Sequence, residues 1–142
     1  MGQAMMSDHK IRDIGLHASG KDRVNWARSN MPILGAIKER LTVEQPFKGH
    51  KIGICLHVEA KSGVWIETLI AGGARIAITG SPGSTQDDTA AWLVKELDVE
   101  VFAWRTETFD EHMDNARRVL ATEPTIIADN GGDLHFLLGA DD

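Results

Sequence analysis

From Lys51 to Ala128, short β-branched runs alternate with longer amphipathic stretches. Lys51–His57 (KIGICLH), Arg75–Thr79 (RIAIT), Glu100–Trp104 (EVFAW) and Thr125–Ala128 (TIIA) are separated by three segments of helical periodicity. Runs of this length, rich in isoleucine and valine, fit strands buried on both faces of a sheet. The intervening segments Lys61–Ala71, Thr85–Leu97 and Thr106–Leu120 space their apolar groups as helices do. Gly72-Gly73 supplies a stop for the first, Ser84 or Thr85 a cap for the second, and Thr108 or Thr106 a cap for the third. Such repetition implies right-handed crossovers and a parallel sheet covered on both sides. The expected fold class is therefore α/β, a three-layer parallel sheet flanked by helices, of Rossmann-like or flavodoxin-like type. Ahead of it, Val24, Ala27, Met31, Leu34, Ile37 and Leu41 form one apolar stripe broken near Pro32, which reads as two short helices or one kinked helix. Residues 1–10 read as a disordered tail and 11–142 as a single α/β domain. At 142 residues the chain has the size of one ordinary domain, with no room for a second, nucleotide-binding one.

Charge and composition exclude several functions. Net charge is −6 and the 15 basic residues are scattered, so the electrostatic footprint of a nucleic-acid binder is missing. No apolar run approaches the roughly 18 residues of a membrane helix, and Met1–Ser7 lacks the apolar centre of a secretion signal. A cytoplasmic protein with a small-molecule partner is expected. The single cysteine, Cys55, allows neither an internal disulfide nor a cysteine-rich metal site, and reads as a small buried strand residue. The six histidines show no metal-ligand spacing on a helix, so no metal is expected. Trp26, Trp65, Trp92 and Trp104 read as packing residues.

Ligands of open parallel sheets bind outside the carboxyl ends of the strands, which directs attention to the loops that start there. The first, His57-Val58-Glu59-Ala60-Lys61-Ser62, brings an imidazole, a carboxylate and an ammonium to the beginning of a helix. Histidine passes protons near neutral pH, while Glu59 and Lys61 offer an acceptor and a donor to one polar edge of a ligand. The second loop runs from Gly80 through Ser84, Thr85, Gln86 and Asp87. Its residues suit a helix start, and its amides suit an anion, but its glycines match no nucleotide-phosphate fingerprint. In the last loop, Asp129 and Asp133 flank Asn130-Gly131-Gly132 where backbone freedom permits close ligand approach.

Several ordered landmarks carry a family resemblance: Asp13-Ile14-Gly15-Leu16, Asn30-Met31-Pro32, Cys55-Leu56-His57, Ile66-Glu67-Thr68-Leu69, Ser84-Thr85-Gln86-Asp87, Phe102-Ala103-Trp104 and Gly131-Gly132-Asp133-Leu134. In order and spacing they resemble the opening part of the substrate-binding domain of the S-adenosylhomocysteine hydrolases (adenosylhomocysteinases), over about residues 11–136. The resemblance implies a cytoplasmic enzyme of one-carbon metabolism. In that family bound NAD oxidises the 3′-hydroxyl of the ligand's ribose, homocysteine is eliminated, water adds and the ketone is reduced. His57 matches the family's acid or base near the 5′-carbon. Ser84, Thr85, Gln86 and Asp87 match a loop lining the same cleft, and Ser62, Asp129 and Asp133 join the substrate-binding set.

Two departures matter. Glu59 and Lys61 stand where the common form has a threonine and a glutamate, and look like the archaeal and thermophilic branch of the family. Lys61 donating and Glu59 accepting complement hypoxanthine better than adenine, so an inosyl ligand is expected to bind better than an adenosyl one. Asn130 stands where the family has a catalytic aspartate, and an amide cannot accept a proton. With no NAD-binding domain and no cofactor of its own, the chain is expected to be a truncated substrate-binding portion, inactive alone, that self-associates or meets a complementing chain. Two alternatives are a stand-alone binder of S-adenosyl or nucleoside ligands, and a small NAD-independent enzyme acting on an S-adenosyl compound with His57 and Glu59 or Asp129.

Overall fold

A computed structural model describes residues 7–140. Helices α1 (His17–Ser29) and α2 (Pro32–Glu44) precede β1 (Lys51–Cys55), α3 (Ala60–Ala71), β2 (Arg75–Thr79), α4 (Asp87–Leu97), β3 (Glu100–Phe102), α5 (Phe109–Ala121), β4 (Ile126–Asp129) and α6 (Asp133–Ala140). The four strands form one all-parallel sheet in the order β3-β2-β1-β4. That order is the Rossmann one; the flavodoxin order, the other form expected, would place β3 on the opposite side of β1.

Alternation along β1 explains how one strand serves two cores. Ile52 and Ile54 belong to the larger cluster, with Ile66, Leu69, Ile78, Leu93 and Trp92 under α3 and α4. Cys55 belongs to a second cluster on the opposite face, with Phe102, Val119, Leu134 and Leu137 under α5 and α6. Gly53 lies between, and a Cβ there would meet Pro124 Cγ at 2.8 Å and Val119 Cγ1 at 3.2 Å, so its lack of a side chain lets the end of α5 approach the sheet.

The apolar stripe of the amino-terminal segment resolves into two helices, with Pro32 at the start of the second, where a missing N–H costs nothing. Both are tied to α3 through Glu67, which accepts from Arg28 at 3.0 Å and from Lys38 at 2.9 Å. Trp26 departs from the packing expectation, since it is 69% exposed, whereas Trp92 is buried. Residues 1–6 of the expected tail lie outside the described residues. Ser7 and Lys10 are held against β3 and its approach: the Ser7 N–H donates to Asp98, the Lys10 N–H to the Val101 carbonyl, and Ala103 donates back to Lys10. α4 begins at Asp87 with Gln86 as its cap residue, later than the expected Ser84 or Thr85. Thr108 caps α5 in a reciprocal box with Glu111. No sequence expectation covered α6.

Candidate functional site

The chain turns back across the sheet between β1 and β4, so the loops that follow these two strands diverge and leave a crevice at their carboxyl ends. A cleft of about 170 Å³ opens there, lined by Cys55, Leu56, Trp65, Asp129 and Asn130. A larger hollow, about 350 Å³, lies between Ser7, Arg75 and Glu100. It sits at the amino ends of β2 and β3, away from the chemically rich loops, and does not compete as the ligand site.

The loop after β1 leaves three polar side chains uncommitted. His57 and Lys61 are exposed and Glu59 is half-buried, and none of the three side chains is paired with another described residue. Glu59 occupies the cap position of α3 in extended backbone without a side-chain capping bond, so its carboxylate is left for other partners. Ser62 behaves differently. It is buried, and its hydroxyl donates to the His57 carbonyl, fixing the loop's curvature instead of facing outward.

The residues Ser84–Asp87 brace the loops against one another. Ser84 donates to the Ser81 carbonyl at 2.8 Å and closes its own turn. Thr85 is fully buried, and a Cβ on Gly80 would meet its hydroxyl at 2.6 Å. The Gln86 N–H donates to the Val58 carbonyl at 2.8 Å, and its side-chain oxygen accepts from the Ala60 N–H at 3.3 Å, locking this loop to the first one. Asp87 accepts from the Arg105 N–H at 3.0 Å, locking it to the third. Ser84, Gln86 and Asp87, read from sequence as ligand contacts, thus spend these groups holding the rim in shape, while the buried Thr85 hydroxyl has no hydrogen-bond partner among the described residues.

In the last loop Asn130 is exposed and its N–H donates to the Cys55 carbonyl at 2.9 Å, while Gly131 (φ 117°) and Gly132 (φ 94°) make the left-handed turn that the sequence suggested. The Asp129 side chain is fully buried and accepts from Gly132, from the His135 N–H and from His135 Nδ1. Burial opposes its ionisation, but these bonds from His135 and Gly132 outweigh it and hold the carboxyl below its ordinary range. Asp129 is therefore the clasp of the turn. Asp133 faces inward, with Oδ2 at 2.8 Å from His112 Nε2.

Behind Asp133 lies a polar cluster that sequence reading missed. His112 is 1% exposed, and its Nδ1 points at Glu107 Oε1, 3.8 Å away, with neither atom hydrogen-bonded. The other Glu107 oxygen accepts from Asn115 at 2.7 Å. Burial pushes the Glu107 carboxyl up despite the bond from Asn115 and the nearby His112. The Cys55 thiol is pushed up to about 12 by burial and then by the charges of Asp129 and Asp133. The only sequence signal for this cluster was its position: His112, Asn115, Ala116 and Val119 recur at helical spacing on the buried face of α5.

The family described as S-adenosyl-L-homocysteine hydrolase matches residues 8–141. The S-inosyl-L-homocysteine hydrolase of Methanopyrus kandleri is 52% identical over 127 residues, covering 89% of this chain and 30% of the relative. That of Methanocaldococcus jannaschii is 50% identical over 131 residues, covering 92% and 31%. The adenosylhomocysteinase of Sulfolobus acidocaldarius is 46% identical over 129 residues, covering 90% and 31%. The chain thus spans about 30% of the length of these curated relatives.

Proposed function

This chain belongs to the S-adenosyl-L-homocysteine hydrolase family, and we propose that it forms a nucleoside-thioether half-site at the carboxyl ends of β1 and β4. The observation that carries this reading is the division of labour among the loops. Ser62, Ser84, Gln86, Asp87 and Asp129 are spent on the rim, while His57, Glu59 and Lys61 are left unpaired on the loop that leaves β1, whose last residues line a cleft with Trp65 and Asn130. In this reading Glu59 and Lys61 hold the purine edge and His57 stands ready as acid or base. Lys61 donates to a hypoxanthine carbonyl and Glu59 accepts from its ring N–H, whereas adenine offers the reverse pattern at both positions, an amino donor and a bare ring acceptor. The relatives named S-inosyl-L-homocysteine hydrolase support an inosyl ligand.

The β1 loop does not fit the pyrophosphate of a dinucleotide. His57, Val58 and Glu59 stand where such a site needs glycines, and the Glu59 carboxylate occupies the helix start that would receive the phosphates. NAD therefore has no place in this loop, and no redox step is assigned to these residues. At Asn130 an amide replaces a proton acceptor, which favours the reading of a ligand holder over that of a complete hydrolytic centre.

Isothermal titration with S-inosylhomocysteine and S-adenosylhomocysteine, without NAD, tests the proposal. Saturable binding of the inosyl compound is expected, with Lys61→Ala weakening it about tenfold, the magnitude of one charge-assisted hydrogen bond. Equal or tighter adenosyl binding removes the purine preference, and failure of both compounds removes the half-site. The reading also makes α6 a packing face for a complementing chain or second copy, because Phe136 and Leu138 are exposed beside half-buried β4. A chain that sediments as a monomer at all accessible concentrations would exclude the second copy.

A further inference from the structure

The buried cluster behind the cleft has no task in ligand holding, and its donor set is unusual. A cysteine from β1, a histidine from α5 and an aspartate from the start of α6 each present one donor atom, all within 4.8 Å of one another. We propose that Cys55, His112 and Asp133 bind a divalent transition-metal ion of the zinc class, with Glu107 orienting the imidazole. The inference stands whichever nucleoside the cleft accepts.

Two independent observations point to an ion. The first is the chemistry of the donors. Sulfur, imidazole nitrogen and carboxylate oxygen together suit a borderline ion such as Zn²⁺, and suit Mg²⁺ or Ca²⁺ poorly. Three protein donors leave a fourth tetrahedral position for water. Cys55 lines the cleft at the ends of β1 and β4, and the Asp133 side chain is 39% exposed, so both water and the ion have a route in.

The second is the orphaned pair beside the donors. When His112 Nε2 donates to Asp133, Nδ1 is left as a bare acceptor facing a carboxylate oxygen, and two buried acceptors oppose each other at 3.8 Å. An ion on Nε2 moves the ring proton to Nδ1, which then donates to Glu107 Oε1. Metal-bound histidines are ordinarily held in this way by a carboxylate behind them. Binding satisfies both orphans, with the bond from Asn115 keeping Glu107 in place. On binding, the thiol proton leaves to solvent as the sulfur–metal bond forms.

Cobalt(II) titration of the reduced full chain, followed by optical absorption, tests the site. One equivalent of Co²⁺ is expected to produce a thiolate-to-cobalt charge-transfer band in the near ultraviolet. Because Cys55 is the single cysteine, that band reports this sulfur and no other. Zn²⁺ should bleach it stoichiometrically, and Cys55→Ser should abolish it. Asp133→Asn, an isosteric change at a partly exposed position, should weaken Co²⁺ at least tenfold while circular dichroism stays native, which separates loss of a ligand from loss of the fold. A folded chain that shows no charge-transfer band, or an Asp133→Asn variant that binds Co²⁺ as tightly as the parent, would overturn the proposal.

Discussion

Asp88 shows how a single side chain in this protein ties sequence-distant helices together. It lies in the first turn of α4, 9% exposed, and accepts from Ser19 at 2.9 Å and from Arg23 at 3.0 Å, both on α1. Burial alone would raise its pKa; the bonds from Arg23 and Ser19 outweigh it and hold the carboxyl below its usual 3.8. A carboxyl depressed by folding contributes stability that is complete above its unfolded pKa and is lost as pH falls through the folded value. Asp88→Asn should therefore cost about 1 kcal/mol at neutral pH, less than a fully buried charged hydrogen bond because Arg23 is half exposed. The difference from the parent should shrink below about pH 4 in urea titrations. A difference that stays constant down to pH 3 would show that the charge contributes nothing. In the sequence Asp88 is only an acid at a helix start, where the helix dipole alone would explain it, and nothing marks its partners on α1. The same blindness covers the His112–Asp133 pair, which meets only after α5 and α6 have docked and so leaves no local spacing to read. His57, Glu59 and Lys61 stood out as candidates because they leave one strand end at alternate positions, where the fold class already directs a ligand.

The elements followed the sequence wherever burial alone decides. β2 matches its isoleucine run and β1 covers Lys51–Cys55 of the expected Lys51–His57, and both are buried along nearly their whole length. β3 stops at Phe102, short of the expected Trp104, because Ala103 turns its N–H to Lys10 instead of β2. α4 starts late because the Ser84 hydroxyl is occupied by Ser81 and the Gln86 amide by Val58, leaving the helix to begin at two acids. α6 went unread because only Leu134 and Leu137 of its eight residues are buried, too short a stripe to show a period. Packing between α1 and α4 supplies an element-scale prediction. Gly20 sits inside α1, where glycine is normally unfavourable, yet a Cβ there would overlap the Asp88 carbonyl and lie 2.9 Å from Trp92 Cβ. Gly20→Ala improves helix propensity but forces the two helices apart. A net loss of about 1–3 kcal/mol is expected from overpacking, read as a lower thermal midpoint. A midpoint equal to or above the parent would mean that α1 shifts freely on α4.

At the scale of the whole molecule, stability is unevenly distributed and the candidate site lies on the weak side. β1 is paired on both edges and buried throughout, so it and β2 form the rigid centre. β4 pairs with β1 alone among the described strands, and all four of its residues are half-buried. The α6 helix that follows is short, and it is joined through the glycine turn that Asp129 clasps. Native-state hydrogen exchange should therefore show β4 and α6 opening at far lower free energy than β1 and β2, as a separate unit. If a nucleoside thioether binds at the ends of β1 and β4, it must act on that opening. A ligand at about 100 times its Kd stabilises the bound state by about 2.7 kcal/mol. Amides of β4 and α6, which open below the global limit, should slow by up to that amount, roughly a hundredfold. Amides near Lys95, at the far end of α4, should slow only if they exchange through global unfolding. Uniform slowing across the sheet would place the ligand's effect on global unfolding, and unchanged β4 amides with bound ligand would move the site away from the β1–β4 crevice altogether.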